Sequence, residues 1–541
     1  MPTADCLPIT VAPGLHRLFL DFCAGNAAVS KYYAALPPDT RWTGAANAAT
    51  SIGHREEMIG VLAAQNPAAP GTAGARSLEA LRQGAGTVVT GQQVGLLGGP
   101  LFTPFKAATA VARARTATAA GQAHVPIFWL ASEDHDFAEI NHVVFPSRKQ
   151  LRTLVYPESH GVPRPVGSLV LDERITPLLD QAWELLGSSD AMDALVAAYR
   201  PGRTFSQAFA DFYARAFAAQ GLLVFDASGR AVHRMGASVL RAGIERADEL
   251  HAALTQRNSE LQAAGYHVQV AVGSQSSLLF LLDEKTGARL ALKRVSPSAN
   301  DPQGLWQAGR QAFSTADLLG ILAAEPERIS PSALLRPVFQ DYLLATSLTI
   351  GGPAEIAYFA QSAVLFERIL GRITAVQPRF SATLIEPAIG DLLRKHGLSL
   401  ERVFGETEDS LAQLLAARAM PVEGKQKLAA AGNALDAELE PVLAWMNQLD
   451  HGLGKSAATA ASKMRYQMNR LRRLAANFQL RKEESLRRHA QAISQSLYPG
   501  GVLQERVHGA AFYLARYGFE LVEEISRQAE NPCPGHTAVW L

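Results

Sequence analysis

The chain has 541 residues, 48% of them apolar, with 51 Lys and Arg against 50 Asp and Glu and a formal net charge of +1. So even a balance excludes a globally basic nucleic-acid binder and an acidic tail, and the apolar fraction excludes wholesale disorder. No run reaches the roughly 18 apolar residues of a membrane span, and the N-terminal MPTADCLPIT lacks the basic start and apolar stretch of a secretion signal. A cytoplasmic protein is expected. The three cysteines, Cys6, Cys23 and Cys533, are odd in number, form no CxxC pair and are scattered. That pattern predicts no disulfide framework.

Residues 1–85 read as mainly helical, broken at Pro37-Pro38 and by a Pro/Gly/Ala-rich stretch at 66–74. A β-prone run, Thr87-Val88-Val89-Thr90, then enters the glycine-rich segment 91–100 (GQQVGLLGGP). An Ala-rich helix over about 104–120 follows, and then a second strand, 125–130, that runs into Glu133-Asp134-His135-Asp136. Strand, turn, helix, strand is a βαβ unit, which calls for a parallel sheet with a right-handed crossover. Later apolar runs end at Asp226 and at Gly351-Gly352-Pro353, and 268–294 alternates around a turn at 283–287, as a hairpin in an inserted subdomain does. Beyond 422 the period changes. Leu428, Leu435, Val442 and Leu449 recur every seven residues, and after the breaker 450–454 (DHGLG), Ala461, Met464, Met468, Leu471, Ala475 and Phe478 step by three and four. Two long helices joined by a glycine-containing turn form an antiparallel hairpin, with a seam able to recruit a second copy.

Sheet ligands collect at the carboxyl ends of strands, so chemistry is sought there. Thr90, Gly91, Gln92, Gln93, Gly95, Gly98 and Gly99 precede a helix that carries Lys106 near its first turn. Unpaired N–H groups at a helix start attract an anion, glycines admit it closely, and glutamine and lysine side chains add donors. The segment is neither GxGxxG nor GxxxxGK[ST], and glycine used for packing in a strand-to-helix turn is the competing explanation. Glu133, Asp134, His135 and Asp136, followed by His142, place three acids and a histidine at a second strand end. Such a set binds an amine or ribose or transfers protons; the plainer alternative is a solvated loop with Asp136 capping a helix. Its spacing fits no standard zinc pattern, and no metal site is assigned. Gly351, Gly352 and Glu355 repeat the arrangement at a third strand end, where an acid also suits the helix dipole. Arg336, Gln340 and Asp341 lie just upstream. The basic residues from Arg470 to Arg488 read as the solvated face of a coiled coil, and Ser51-Ile52-Gly53-His54, superficially a HIGH box, has no convincing preceding strand.

Together these segments resemble the bacillithiol-biosynthesis cysteine-adding (BshC) family. The matching stretches run from Thr90 through Gly99-Pro100-Leu101-Phe102-Thr103 and from Pro126 through Glu133-Asp134-His135-Asp136 to His142. They continue at Leu335-Arg336-Pro337 to Gln340-Asp341-Tyr342-Leu343, at Gly351 to Tyr358, and at Leu503-Gln504-Glu505-Arg506-Val507. Order and spacing fit over nearly the whole chain. The resemblance implies an α/β fold: a Rossmann-like parallel-sheet core, similar to class I synthetases and nucleotidylyltransferases, with inserted connecting segments and an antiparallel coiled-coil domain. The core would occupy 1–160, 161–330 (with the insertion) and 331–385, the coiled coil 386–496, and 497–541 would return to the core. It further implies a homodimer and a ligase that adds L-cysteine to glucosaminyl malate in the last step of bacillithiol synthesis. ATP (or ADP), with or without Mg2+, would activate the cysteine carboxyl as an acyl-adenylate or acyl-phosphate.

On that expectation residues 91–99 and Lys106 hold phosphate, with Arg379 and Ser381 approaching from a later loop. Asp134, His135 and Asp136 take the amine or ribose, His135 being the proton acceptor. Glu133, His142, Arg336, Gln340, Asp341, Gly351, Gly352 and Glu355 line the substrate. The partners are small molecules, with no membrane and no nucleic acid. The cysteines are too few and scattered for a zinc site that holds a substrate thiolate. Two other functions remain open: a metal-dependent hydrolase built on the 134–136 cluster, and a coiled-coil scaffold whose basic arm binds nucleic acid.

Overall fold

The computed structural model describes residues 3–34, 54–147, 150–157, 161–295, 305–530 and 533–541. Pro37-Pro38 and residues 51–53 of the HIGH-like box lie outside them. The chain divides into two compact units, one of Pro2–Thr383 with Glu505–Thr537, the other of Leu384–Gln504 with Ala538–Leu541. No described helix is long and apolar enough to cross a membrane.

In the first unit, strands β1 (Gly86–Gln92), β2 (His124–Leu130), β3 (Leu223–Asp226), β4 (Thr346–Gly351) and β5 (Ala375–Pro378) form one parallel sheet in the order β5-β4-β1-β2-β3. Both faces are covered, which is why these strands read as short continuous apolar runs. On one face Val88, Leu348 and Ile350 pack on Ala110, Ala114 and Ala117 of helix α1 (Phe102–Ala119). Alanine there lets the helix lie close to the sheet. On the other face Val89, Ile127 and Trp129 share a core with Phe339 of α2 (Arg336–Leu344) and with Ile356 and Phe359 of α3 (Pro353–Leu370). The register sets Gln92 beside Leu130, Leu130 beside Asp226, and Gly351 beside Pro378, so the strands finish along one edge. The order reverses between β1 and β4. Outside that reversal an open α/β sheet has its ligand crevice.

The hairpin expected at 268–294 is present as Ser276–Leu282 and Arg289–Val295, within a five-stranded antiparallel sheet completed by Leu305–Ala308, Gln311–Phe313 and Ile329–Pro331. One expectation fails: Cys6 is disulfide-bonded to Cys533, at a sequence separation of 527. No local spacing encodes a pair that only folding brings together. Cys23 is the free cysteine, its thiol pushed up to about 12 by burial.

In the second unit, α4 (Val422–Leu449) and α5 (His451–Lys482) form the helical hairpin. The glycine-containing turn is corrected: Asp450 alone joins the helices, its Oδ1 accepting from Leu453 N at 2.8 Å as an N-cap. Gly452 and Gly454 lie inside α5. A Cβ on Gly454 would stand 2.4 Å from Asn447 Oδ1 and 2.9 Å from Asn447 Cα, so glycine permits close approach of the two helices. Gly454→Ala should lower stability by about 1–3 kcal/mol through overpacking. Gly424→Ala, with nothing within 4 Å, should hold or raise it. Equal melting temperatures for the two variants would contradict this account.

His536 is fully buried in the first unit, its ring nitrogens meeting Ser381 Oγ at 2.9 Å and Thr383 Oγ1 at 2.8 Å. Burial pushes its pKa down to about 4, against the pull of Glu505. The unfolded ring takes its proton near 6.5, so this contribution to stability is complete above that pH. It declines as pH falls toward about 4, by about 3 kcal/mol in all. Urea unfolding across that window should be steeper in pH for the wild type than for His536→Asn.

Candidate active site

The first turns of α1 and α3 meet at the strand-order reversal. Lys106 is buried, and its ammonium donates to Gly91 O, to Gln92 Oε1 at 3.2 Å and to Glu355 Oε2 at 2.5 Å. The same Glu355 oxygen accepts from Gly352 N at 2.7 Å, capping α3. One ion pair thus ties the ends of β1 and β4. Burial pushes the Lys106 pKa down, Glu355 opposes that, and Arg379 and Arg336 add to the lowering. All three ammonium donors are engaged. Lys106, expected as a phosphate ligand, here serves as a strut of the strand ends.

Arg336 lies above Gly91: a Cβ there would come within 3.3 Å of its Nη1. Its Nη1 donates to Gln340 Oε1 at 3.2 Å and its Nη2 to the Tyr358 hydroxyl at 2.6 Å. Five N–H groups against these two acceptors leave the guanidinium with donors to spare. Burial pushes the Tyr358 phenol up to about 12. Arg379 N donates to Gly351 O at 2.8 Å, and its guanidinium pairs with the buried carboxylate of Glu505 at 2.5 Å. Burial acts to raise the Glu505 pKa, but the charge and hydrogen bond of Arg379 bring it below the ordinary value.

The acidic side begins one residue beyond β1. Gln93 Nε2 donates to Asp134 Oδ2 at 2.6 Å, and Asp134 Oδ1 accepts from His135 N at 2.7 Å. Arg289 Nη1 approaches His135 Nδ1 at 3.2 Å. Glu133 turns toward His233, whose buried Nε2 lies 2.9 Å from Glu133 Oε1 and whose Nδ1 faces Ile329 O at 2.9 Å. Burial lowers the His233 pKa, but Glu133 and the backbone oxygen outweigh it and the net shift is upward. Asp136 is exposed, and although it is the N-cap residue of the short helix Phe137–Ile140, its side chain makes no capping bond. Glu133 and Asp134 thus turn to different partners, and among the described residues no three His, Cys, Asp or Glu side chains gather as metal ligands. That arrangement does not favour the metal-hydrolase alternative.

Gln92, Gln93, Asp134, His135, Arg336, Gly351, Gly352 and Glu355 therefore share one edge. Other expected residues serve elsewhere. Thr90 is buried and donates to Ile350 O at 3.0 Å, tying β1 to β4. Gly95, Gly98 and Gly99 belong to a buried turn. The Tyr199 hydroxyl donates to Gly95 O at 2.7 Å and accepts from Gly98 N at 3.0 Å, and Tyr213 donates to Gly98 O at 2.7 Å. Gly98 has φ +87°, and a Cβ on it would lie 2.7 Å from Phe212. These glycines, expected as a phosphate cradle, here serve packing. Asp341 is buried and paired with Arg372 at 2.5 Å and with Thr374, its pKa raised by burial against Arg372. Both the Thr374 and Thr346 contacts lie where strands begin, about 13–17 Å from the carboxyl edge at roughly 3.3 Å per residue; Asp341 is structural. Gln340 supports Arg336. Ser381 hydrogen-bonds Glu505 at 3.1 Å and His536 at 2.9 Å, inside the bracket that holds Arg379. His142 is exposed at the start of the hairpin strand His142–Pro146, its ring beside Asn141 Oδ1 at 3.3 Å.

Sequence reasoning missed Arg289, His233, Tyr358 and Glu505. Glu505 stands in a family-like stretch to which no role was attached, whereas Arg289 has no local signal, since it reaches the site from the inserted sheet.

A family model described as bacillithiol biosynthesis BshC, N-terminal Rossmann-like domain, matches residues 3–380, and one described as its C-terminal coiled-coil domain matches 382–541. A relative from Koribacter versatilis (strain Ellin345) is 40% identical over 538 residues, covering 99% of both chains. One from Solibacter usitatus (strain Ellin6076) is 34% identical and covers 98% of both, and one from Salinibacter ruber (strain DSM 13855 / M31) is 30% identical and covers 96% of both. Each is named "Putative cysteine ligase BshC". With two domain matches spanning the chain and relatives of equal extent, this protein belongs to the BshC family of bacillithiol biosynthesis, a family of ligase enzymes.

Proposed function

We propose that the chain is an ATP-dependent ligase that joins the carboxyl of L-cysteine to the amine of glucosaminyl malate, the last step of bacillithiol synthesis. One observation supports this above all. The reversal between β1 and β4 sets the Arg336 guanidinium and the start of α3 on one side of a strand edge, with Asp134 on the other. A carboxylate resists amine attack because it is anionic and lacks a good leaving group, and ATP, when bound, supplies that group.

The chain's own residues suit the two halves of such a reaction. Arg336, with unused N–H donors, and the amino end of α3 favour negative charge beside Gly91 and Gly352. That donor set fits a polyphosphate or a carboxylate. Lys106 and Glu355 hold the backbone of both glycines in place. Asp134 and the exposed Asp136 favour an ammonium, and Asp136 accepts its proton. Gln92 and Gln93 lie between and orient both sides.

Two copies pair through the hairpin in this proposal. Val442, Trp445, Leu449, Met464, Leu471, Leu474 and Phe478 are all exposed, Phe478 at 62%, and a heptad-spaced apolar face of that kind is stabilised by a matching face. A supply of ATP and cysteine places the protein in the cytoplasm.

Purified protein incubated with ATP, cysteine and glucosaminyl malate should yield the amide, detected by mass spectrometry; nucleotide-independent product or none would sink the proposal. Arg336→Ala should lower kcat/KM by about 100-fold with the melting temperature retained. Light scattering should give twice the chain mass, and the double change Leu471→Glu, Leu474→Glu should give a folded monomer.

A further inference from the structure

We infer that Arg289 fixes the tautomer of His135, so that His135 offers an Nε2–H donor to the site and takes an oxygen atom, not the proton of an amine. The identity of that oxygen rests on the ligase proposal; the tautomer does not. A guanidinium has five N–H donors and no acceptor. Its Nη1 stands 3.2 Å from His135 Nδ1, within hydrogen-bond range, so Nδ1 must contribute its lone pair. The neutral ring then carries its proton on Nε2. The competing partner is Asp134 Oδ1, but it is 3.7 Å from Nδ1 and already accepts from His135 N at 2.7 Å.

Arg289 is held to this task. Its Nε donates to Ser330 Oγ at 3.1 Å, its Nη2 to Pro331 O at 2.9 Å, and its plane lies 3.8 Å over the Phe280 ring, with only 8% of the residue exposed. The His135 side chain is 34% exposed, which leaves the Nε2 edge reachable. In this tautomer Nε2 has no lone pair with which to accept a proton. The expectation that His135 is the base is thereby replaced, and the proton falls to Asp136. A neutral N–H donor suits a carbonyl or carboxylate oxygen on which charge develops during acyl transfer. Arg289 is a positioning residue, acting through His135.

Full-length protein labelled with nitrogen-15 in its imidazoles tests this at mildly alkaline pH, with His135→Gln used to identify the His135 signals. A bare Nδ1 and a protonated Nε2 are expected in the wild type, and Arg289→Met should move both toward a mixture of tautomers. A protonated Nδ1 in the wild type, or a pattern unchanged in Arg289→Met, would overturn the inference. If Arg289→Met does not fold, the wild-type spectrum decides alone. In amide formation, His135→Gln, whose amide N–H falls where Nε2–H stands, should exceed His135→Asn by about tenfold in kcat/KM; the reverse order would refute the donor role. Absence of amide from every form would count against the ligase proposal and leave the tautomer to the spectrum.

Discussion

A buried lysine and a partly buried glutamate between two strand ends hold the rest of the site together. Lys106 comes from the helix after β1 and Glu355 from the helix after β4, and their ion pair closes the gap across which the strand order reverses. Taking two charges out of water is costly, and Coulomb attraction repays it only when the remaining donors and acceptors are also satisfied. Here they are: the ammonium also reaches Gly91 O and Gln92 Oε1, and the carboxylate also caps Gly352 N. Removing one partner of such a pair typically costs about 3–5 kcal/mol because the other charge is left stranded. The pair thus fixes two glycine backbones at the point where a ligand would meet them.

Around that strut each polar group of the edge is held by another side chain. Glu505 holds Arg379, Tyr358 and Gln340 hold Arg336, His233 holds Glu133, and Arg289 holds His135. Several of these supports come from far along the chain: Glu505 from beyond the coiled coil, and Arg289 from the antiparallel sheet inserted between β3 and β4. The inserted sheet is therefore part of the site as well as a connection. Polar networks of this kind set orientation because every member has few alternative partners.

Much of the fold was legible in the chain. Short apolar runs ending at Thr90, at Asp226 and at Gly351 marked parallel strands because strands buried on both faces need no alternation. The seven-residue spacing from Leu428 to Leu449 marked a long helix because only that period keeps one stripe facing a partner. Glycines were the weak point. Gly98 and Gly454 both looked like turn or ligand residues, yet one makes room for Phe212 and the other for Asn447. A missing side chain says that something comes close without saying what.

By itself the sequence determined the α/β core, the helical hairpin, and the strand ends where polar residues gather, since periodicity and turn chemistry are local properties of the chain. Only the tertiary structure decided which polar residues face the crevice. Asp341 and Glu355 are both acids near a strand, but one is buried where strands begin and the other stands where they end. It also decided the pairing of Cys6 with Cys533 and the approach of Arg289 to His135. Contacts of that kind depend on the packing of segments hundreds of residues apart, and no local pattern encodes them.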